Sequence, residues 1–189
     1  MQDVYKRQDY ADVAGSDWYY DAVQTVTEKG WMQGVSEQEF APSGTVTRAM
    51  AVQTLYRLAE GVTTQQTSTF SDVAADAWYA DAVAWAVEQN IATGYDDGTF
   101  QPEKAITRQE AAAILNNAFE LAEKYGISTE KFPDNGAIAG WAADHVYAAK
   151  AAGLMKGDAG TGNFRPTSTI TRAEAASIMM NAKNAGLIK

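Results

Sequence analysis

A single sequence unit recurs three times along the 189-residue chain, at a spacing of about 60 residues, and this repetition restricts the possible folds more than any other feature. Each unit carries an early Asp, then a Trp, then an aromatic residue two positions before a Pro, and it closes on a β-branched residue followed by Thr and Arg. The tryptophans are Trp18, Trp78 and Trp141, and the closing arginines are Arg48, Arg108 and Arg172. Because one short unit cannot bury an apolar face alone, we expect the three units to pack on one another.

The pattern within each unit predicts a helix, a loop and a second helix. Apolar residues follow each Trp at intervals that fit a broad helical face, and the first helix is expected to end at a residue in the left-handed conformation. The residues expected in that conformation are Gly30, Asn90 and Gly153. The loop aromatic residues, which are expected in the core, are Phe40, Phe100 and Phe164.

The second helix of each unit is expected to begin after a Thr that caps its first turn. These threonines are Thr47, Thr107 and Thr171. Glu110 and Glu174 lie three residues further on and would complete capping boxes, whereas Met50 takes that place in the first unit. Small and medium apolar residues recur along these helices at helical spacing, which favours close packing of the helices.

These elements predict an all-α fold in which three helix-loop-helix repeats pack as a pseudo-threefold helical bundle, a three-pronged spindle, with an open solenoid as the alternative. The predicted repeats span residues 10–61, 70–125 and 132–189. Residues 1–8 have no counterpart elsewhere in the chain, and residues 1–9 form a predicted lead segment. The polar stretches 61–69 and 126–131 are predicted linkers.

The composition argues against several classes of protein. The chain has no Cys and a single His, so we expect no disulfide framework, no metal site and no cofactor. The net charge of −9 argues against nucleic-acid binding, which needs a basic surface. No apolar stretch reaches the ~18 residues of a membrane span, and no phosphate-binding loop or nucleophile elbow occurs. We therefore expect neither membrane insertion nor enzymatic activity.

The second unit carries the most complete set of recurring motifs. It contains Phe70-Ser71-Asp72-Val73, Trp78-Tyr79, Gly94-Tyr95-Asp96-Asp97-Gly98-Thr99-Phe100-Gln101-Pro102 and Ile106-Thr107-Arg108-Gln109-Glu110. On these residues the chain, from Tyr10 to its end, resembles the S-layer homology (SLH) domain family. The resemblance implies an extracellular bacterial module that anchors proteins, without covalent bonds, to a cell-wall polysaccharide that often bears pyruvate ketals.

The closing arginines have two interpretations. The resemblance implies that Arg48, Arg108 and Arg172 contact the ligand at grooves between repeats. Each is predicted in a first helical turn, where free N–H groups attract anions, and a guanidinium can bind a carboxylate through two hydrogen bonds. The alternative is that the arginines hold neighbouring units together by pairing with acids of the early motif, and both roles can coexist. The candidate acids are Asp12, Asp72 and Asp134.

The tryptophans also have two interpretations. A Trp at a helix start can anchor the core through its large buried area, or it can form a groove wall against a sugar face. We include Trp18, Trp78 and Trp141 with the three arginines among the predicted polysaccharide-binding residues. The Asp three residues after each Trp would either favour the helix dipole or accept sugar hydroxyls.

The predicted function is a non-covalent cell-surface anchor that binds a cell-wall polysaccharide bearing acidic pyruvate ketal groups. The alternative is a protein–protein interaction scaffold of a bacterial surface assembly. We expect the chain outside the cell, in the bacterial wall or surface layer, as a monomer whose three repeats form a pseudo-trimer. Nucleic acid is not an expected partner.

Overall fold

The computed structural model describes residues 9–59, 62–64 and 68–189. Within these residues the chain forms seven α-helices and two short 3-10 turns, and the only β pairing is three isolated bridges, so the predicted all-α class is confirmed. The helices are α1 (Tyr20–Glu28), α2 (Arg48–Leu58), α3 (Ala80–Glu88), α4 (Arg108–Phe119), α5 (Leu121–Tyr125), α6 (Ala143–Ala151) and α7 (Arg172–Asn184). The predicted lead segment, apart from Asp9, and part of the predicted linker 61–69 lie outside the described residues.

The first helix of each repeat, α1, α3 or α6, ends as the sequence predicts. Two residues after the last helical residue, the backbone takes a left-handed conformation, with φ of 72° at Gly30, 57° at Asn90 and 71° at Gly153. The apolar residues that follow each Trp at helical spacing are buried, including Val23, Val83 and Val146 at 0% exposure. Local turn chemistry and an apolar face therefore define these helices.

The second helix of each repeat, α2, α4 or α7, begins directly after its predicted Thr cap. The hydroxyls of Thr47, Thr107 and Thr171 each accept a hydrogen bond from the N–H three residues on. Capping boxes form with Glu110 and Glu174. The first repeat keeps only the Thr half of the motif, because Met50 offers no carboxylate.

Helix pairing follows a rule that the sequence analysis did not predict. The second helix of one repeat packs against the first helix of the next, so α2 contacts α3 and α4 contacts α6, and α7 of the last repeat packs on α1 of the first. Helices of the same repeat are not the main partners. Each sequence repeat is therefore divided between two packing pairs.

The described residues form two compact units. One unit consists of the described part of Met1–Thr45 together with Thr171–Lys189, and it contains α1 and α7. The other unit is Val46–Ile170, with α2 to α6. The pseudo-threefold arrangement of the whole chain and the predicted repeat boundaries stay predictions.

A short helix that the sequence analysis did not predict, α5, follows α4 almost without interruption. Glu120 separates the two helices in a left-handed conformation with φ of 54°. The Asn116 side chain accepts a hydrogen bond from the Ala122 N–H at 2.8 Å, and Leu121 is fully buried. The helix packs on α6, so it extends the core of the larger unit.

Candidate ligand-binding site

The three closing arginines are buried and use their guanidinium groups in the same way. Each begins a second helix and keeps an exposure of only 5 to 7%. Nε donates to the carbonyl of a loop phenylalanine: Arg48 to Phe100 at 2.9 Å, Arg108 to Phe164 at 2.6 Å and Arg172 to Phe40 at 2.8 Å. Nη2 donates to the carbonyl before a loop glycine: Arg48 to Thr93 at 2.8 Å, Arg108 to Lys156 at 2.9 Å and Arg172 to Gln33 at 2.5 Å. The arginines therefore hold loop carbonyls of another repeat in place.

The first N–H groups of these helices are also bonded to loop carbonyls. At α2, the Arg48 N–H donates to Lys104 and the Ala49 N–H donates to Pro102, both at 2.9 Å. The matching bonds at the other two helices run from Arg108 to Ser168, Gln109 to Pro166, Arg172 to Gly44 and Ala173 to Pro42. The third N–H donates to the capping Thr. The prediction that these helix ends offer free N–H groups to an anion is wrong, because loop carbonyls already accept from them.

The early-motif aspartates bond to the loop backbone rather than to the arginines. Asp134 Oδ1 and Oδ2 accept from the N–H groups of Phe164 and Arg165, both at 2.7 Å. Asp12 and Asp72 bind the matching pairs at 2.7 to 2.9 Å. In each pair the second residue is left-handed, with φ of 55° or 56°. The suggested Arg–Asp pairing is wrong: across the described residues no ion pair joins these two sets.

The β-branched residues before the capping threonines are joined in a closed cycle. The Val46 N–H donates to Ile170 at 3.0 Å, the Ile106 N–H donates to Val46 at 2.9 Å, and the Ile170 N–H donates to Ile106 at 3.1 Å. All three side chains are buried. All three residues belong to the larger unit, so this cycle joins the β-branched positions of the three repeats within it.

We call one buried arginine, its two acceptor carbonyls and the aspartate-capped loop an arginine joint. There are three among the described residues, at Arg48, Arg108 and Arg172. In the joint at Arg172, burial lowers the pKa of the guanidinium, while the charges of Tyr10 and Asp12 oppose that shift. Every guanidinium also lies over the ring of its acceptor phenylalanine, 4.6 to 5.0 Å from the centroid. The joint therefore has a structural role: it fixes a loop of one repeat to the first turn of a helix in another.

The three tryptophans lie on the surface. Their exposures are 69% for Trp18, 58% for Trp78 and 58% for Trp141. Trp18 and Trp78 each meet the following tyrosine edge-on, with ring centroids 5.2 and 5.0 Å apart. The interpretation of these residues as core anchors is wrong, because Phe40, Phe100 and Phe164 fill the core instead, as predicted. The groove-wall interpretation is compatible with their exposure.

One cleft in the larger unit brings an arginine and a tryptophan together. It has a volume of about 330 Å³, and its lining includes Arg48, Tyr95, Glu110, Asn117 and Trp141. The Phe100 and Thr93 carbonyls accept from Nε and Nη2 of Arg48, and among the described residues no group accepts a hydrogen bond from Nη1. The cleft thus combines a partly used guanidinium, an exposed indole and polar side chains.

Glu110 places a negative charge in the same cleft. Burial would raise the pKa of its carboxyl, but hydrogen bonds from the Thr107 backbone and hydroxyl, with the charges of Lys104 and Arg48, hold that pKa below its ordinary value. Lys104 also donates to the Tyr95 hydroxyl at 2.9 Å. The cleft is therefore lined by one cation, Arg48, and one ionised carboxylate, Glu110, so an entering anion would share the charge of Arg48 with Glu110.

The loop glycines Gly34, Gly94 and Gly157 allow close packing in the structure. A Cβ on Gly94 would collide with the ring of Phe70, and a Cβ on Gly34 would lie 2.5 Å from the Tyr10 ring. Gly157 likewise lies against the backbone of Gly162. These positions need glycine because another group packs directly on the Cα atom. The first-turn location of Asp21, Asp81 and Asp144 is as predicted.

Sequence reasoning missed several cleft residues. Tyr95 was identified only as part of a motif, Glu110 only as a helix cap, and Asn117 was not identified. A polar residue on the exposed side of α4 gives no signal of its own, because solvated helix faces are commonly polar. The placement of Asn117 beside Arg48 depends on the pairing of helices between repeats.

Two observations concern the part of the chain that the structure describes. No group of three or more His, Asp or Glu side chains is arranged there to hold a metal ion. Over the same residues, no helix has the length and apolar character that a bilayer span requires.

Tandem all-α repeats with buried arginines, exposed tryptophans and a cleft lined by Arg48 and Trp141 define a class of repeat-built module. The S-layer homology domain matches residues 9–51, 69–112 and 131–176. The chain therefore belongs to the S-layer homology domain family, which places it outside the cell as a bacterial surface-anchoring module.

Several named proteins are similar to this chain. The surface-layer 125 kDa protein of Lysinibacillus sphaericus is 38% identical over 158 residues, which are 82% of this chain and 13% of that protein. The cellulosome-anchoring protein of Acetivibrio thermocellus is 32% identical over 163 residues, 84% of this chain and 35% of that protein. The amylopullulanase of Thermoanaerobacterium thermosulfurigenes is 32% identical over 165 residues, 86% of this chain and 9% of that protein. The chain thus spans only a small part of these relatives.

Proposed function

We propose that this module binds an acidic cell-wall polysaccharide bearing pyruvate ketals and so attaches a larger protein to the cell surface. The observation that carries the proposal is the shared cleft of Arg48 and Trp141. A cation and an exposed indole are the two groups that a ketal-bearing sugar needs, because it presents a carboxylate and an apolar ring face. The relatives named for surface layers and for anchoring support the same role.

Each group in the cleft has a distinct task in this proposal. The unpartnered Nη1 edge of Arg48 donates to the ketal carboxylate, while Nε and Nη2 stay with their carbonyls and fix the guanidinium in position. The Trp141 indole packs against the sugar face or the ketal methyl group. The Tyr95 hydroxyl and the Asn117 amide bond to sugar hydroxyls.

The repeat extends the proposal to the other predicted site residues. Arg108 and Arg172 occupy the same kind of joint as Arg48, and Trp18 and Trp78 are exposed like Trp141. We propose that these residues serve further binding sites on the same polymer. Several weak sites on one chain would hold a repeating polymer far more firmly than any single site. The module itself performs no chemistry on the polymer in this proposal.

Calorimetry with a pyruvylated disaccharide tests the proposal. We expect binding to the parent chain, and Trp141→Ala should weaken binding at this site by about three- to tenfold, since aromatic contacts contribute ~0.5–1.5 kcal/mol beyond area burial. The methyl ester of the same disaccharide is the matched control, because it keeps the shape and loses the charge. Equal binding of acid and ester, or no effect of Trp141→Ala, would contradict the proposal. Binding of a partner protein instead would favour a scaffold role.

A further inference from the structure

We propose that a second cleft, in the third repeat, is an additional site for anionic groups of the wall glycan. This lysine cleft has a volume of about 520 Å³, and its lining includes Lys131, Lys150, Lys156, Glu130 and Phe132. Arg48, Arg108 and Trp141 are not among its lining residues. The inference rests on the proposed function in one respect only, namely that the natural ligand is an acidic glycan.

The charge of the lysine cleft is opposite to that of the whole chain. Three lysines and one glutamate line it, although the chain has a net charge of −9. Lys150 is engaged, with Nζ 3.3 Å from Glu130 Oε2 and 3.0 Å from the Glu130 carbonyl oxygen. Neither Lys131 nor Lys156 forms an ion pair with any described acidic side chain. Two ammonium groups are therefore available to an anion.

Two of the three lysine ammonium groups of the cleft, those of Lys131 and Lys150, lie over aromatic rings. Lys131 Nζ lies 3.9 Å from the centroid of the Tyr147 ring, and Lys150 Nζ lies 4.5 Å from the centroid of the Phe132 ring. Both rings are buried, and the Tyr147 hydroxyl donates to Asn135 Oδ1 at 2.6 Å. A cation seated on a fixed ring loses less conformational freedom when it binds an anion.

The lysines are not required by the fold of a repeat. The positions that correspond to Lys131, Lys150 and Lys156 carry no cation in the other two repeats. They are Asp9, Thr27 and Gln33 in the first repeat, and Thr69, Val87 and Thr93 in the second. Since the other repeats form the same helices and joints without these lysines, the cluster needs an explanation other than folding.

The chemistry of the cleft indicates the kind of group it binds. An ammonium is a compact charge that tolerates varied geometry, unlike the planar fork of a guanidinium. Ammonium groups around an open cleft therefore suit carboxylates or phosphates distributed along a polymer, rather than one precisely oriented group. Contact here, together with the Arg48 cleft, would add a second attachment point along the same glycan.

The test compares two pairs of lysine substitutions in the full 189-residue chain. Lys131→Gln with Lys156→Gln removes the two available charges of the lysine cleft. Lys29→Gln with Lys183→Gln removes two exposed charges elsewhere and serves as the matched control. Calorimetry at low salt would use a galacturonate trimer as the carboxylate probe and a glycerol phosphate trimer as the phosphate probe. Circular dichroism would verify that all variants fold.

We expect the substitutions in the lysine cleft to weaken binding of at least one probe by about three- to tenfold, because each exposed charge pair contributes up to about 1 kcal/mol. The control substitutions should weaken binding by less than twofold. The probe that is affected identifies the anionic group. Equal losses in the two pairs, or no binding of either probe to the parent, would overturn the inference. The calorimetry with the pyruvylated disaccharide tests the Arg48 cleft by itself. A failure of that disaccharide to bind would contradict the proposed function, whereas equal losses in the two lysine pairs would overturn only the lysine cleft.

Discussion

The arginine joints and the clefts beside them follow opposite patterns. The joints use the same donors and acceptors in all three repeats, at nearly the same distances, whereas the cleft linings differ, with Glu110 and Asn117 in one and three lysines in the other. In a buried joint the loop carbonyls need their donors, since an unsatisfied buried carbonyl is costly. An exposed cleft residue has no such requirement, so recognition can vary while the joint stays fixed.

This contrast divides the predicted site residues into two kinds. Repetition of the arginines is explained by folding, because each one ties two loop carbonyls to a helix start. Repetition of the exposed tryptophans has no explanation in the core, since they bury little of their rings. We therefore expect changes to the joints to reduce stability first, and changes to the exposed tryptophans to reduce binding with little effect on stability.

The largest effect on stability should come from a joint arginine. Arg48→Met removes the donors to the Phe100 and Thr93 carbonyls, and we expect it to lower the free energy of unfolding by about 2–4 kcal/mol, since each hydrogen bond from a charged group contributes about 1.5–3 kcal/mol. Urea denaturation measures the change. Lys183→Met, at an exposed lysine outside the joints, is the control and should cost under about 1 kcal/mol. Equal losses of unfolding free energy in the two variants would contradict a stabilising role for the joint.

An intermediate effect is expected from the aspartate of a joint. Asp134→Ala leaves the Phe164 and Arg165 N–H groups without their carboxylate, while Arg165 must still hold a left-handed backbone. We expect a loss of about 1–2 kcal/mol in the free energy of unfolding, measured by thermal and urea denaturation. Asp76→Ala, at an exposed aspartate, provides the comparison. A similar loss at Asp76 would contradict a specific role for the loop cap.

The smallest effect on stability should come from Glu110, which belongs to a helix cap and to a cleft. Glu110→Gln should cost about 0.5–1 kcal/mol of unfolding free energy at pH 7. Because the folded-state pKa of Glu110 is lowered, its contribution is complete above the ordinary glutamate pKa of about 4.3 and is lost as the pH falls through the folded-state pKa.

Unfolding of the parent and of Glu110→Gln across pH 3 to 7 tests this pH dependence. The difference between the two proteins should shrink toward zero at the acid end. Met50→Ala is a suitable control, because the first repeat has no capping carboxylate at that position and its effect should not change with pH. A constant difference between parent and Glu110→Gln would show that the carboxylate does not stabilise the cap.

The sequence was informative where structure is set by neighbours along the chain. Thr107 with Glu110, and the left-handed Asn90, follow from local hydrogen bonding and turn geometry, so the helix ends could be predicted. The partners of the arginines could not. Arg48 binds carbonyls 45 and 52 residues away, and every residue has a carbonyl, so no side-chain pattern identifies these acceptors.

The candidate site shows the same division. Trp141 and Arg48 were identified from the repeat, but their shared cleft depends on helix pairing between repeats, which the sequence does not specify. Asn117 and the lysine cleft were missed for that reason. Side chains that repeat can be found by comparing the units, whereas a cluster present in one repeat needs a three-dimensional structure.

The most direct test of the account measures how the chain binds purified cell-wall polysaccharide before and after acid hydrolysis of its pyruvate ketals. The parent chain should sediment with the intact polysaccharide and lose most of that binding after hydrolysis. Trp141→Ala, with parental unfolding behaviour, should bind the intact polymer more weakly than the parent does. Undiminished binding to the hydrolysed polymer by both proteins would contradict a carboxylate-recognising cleft.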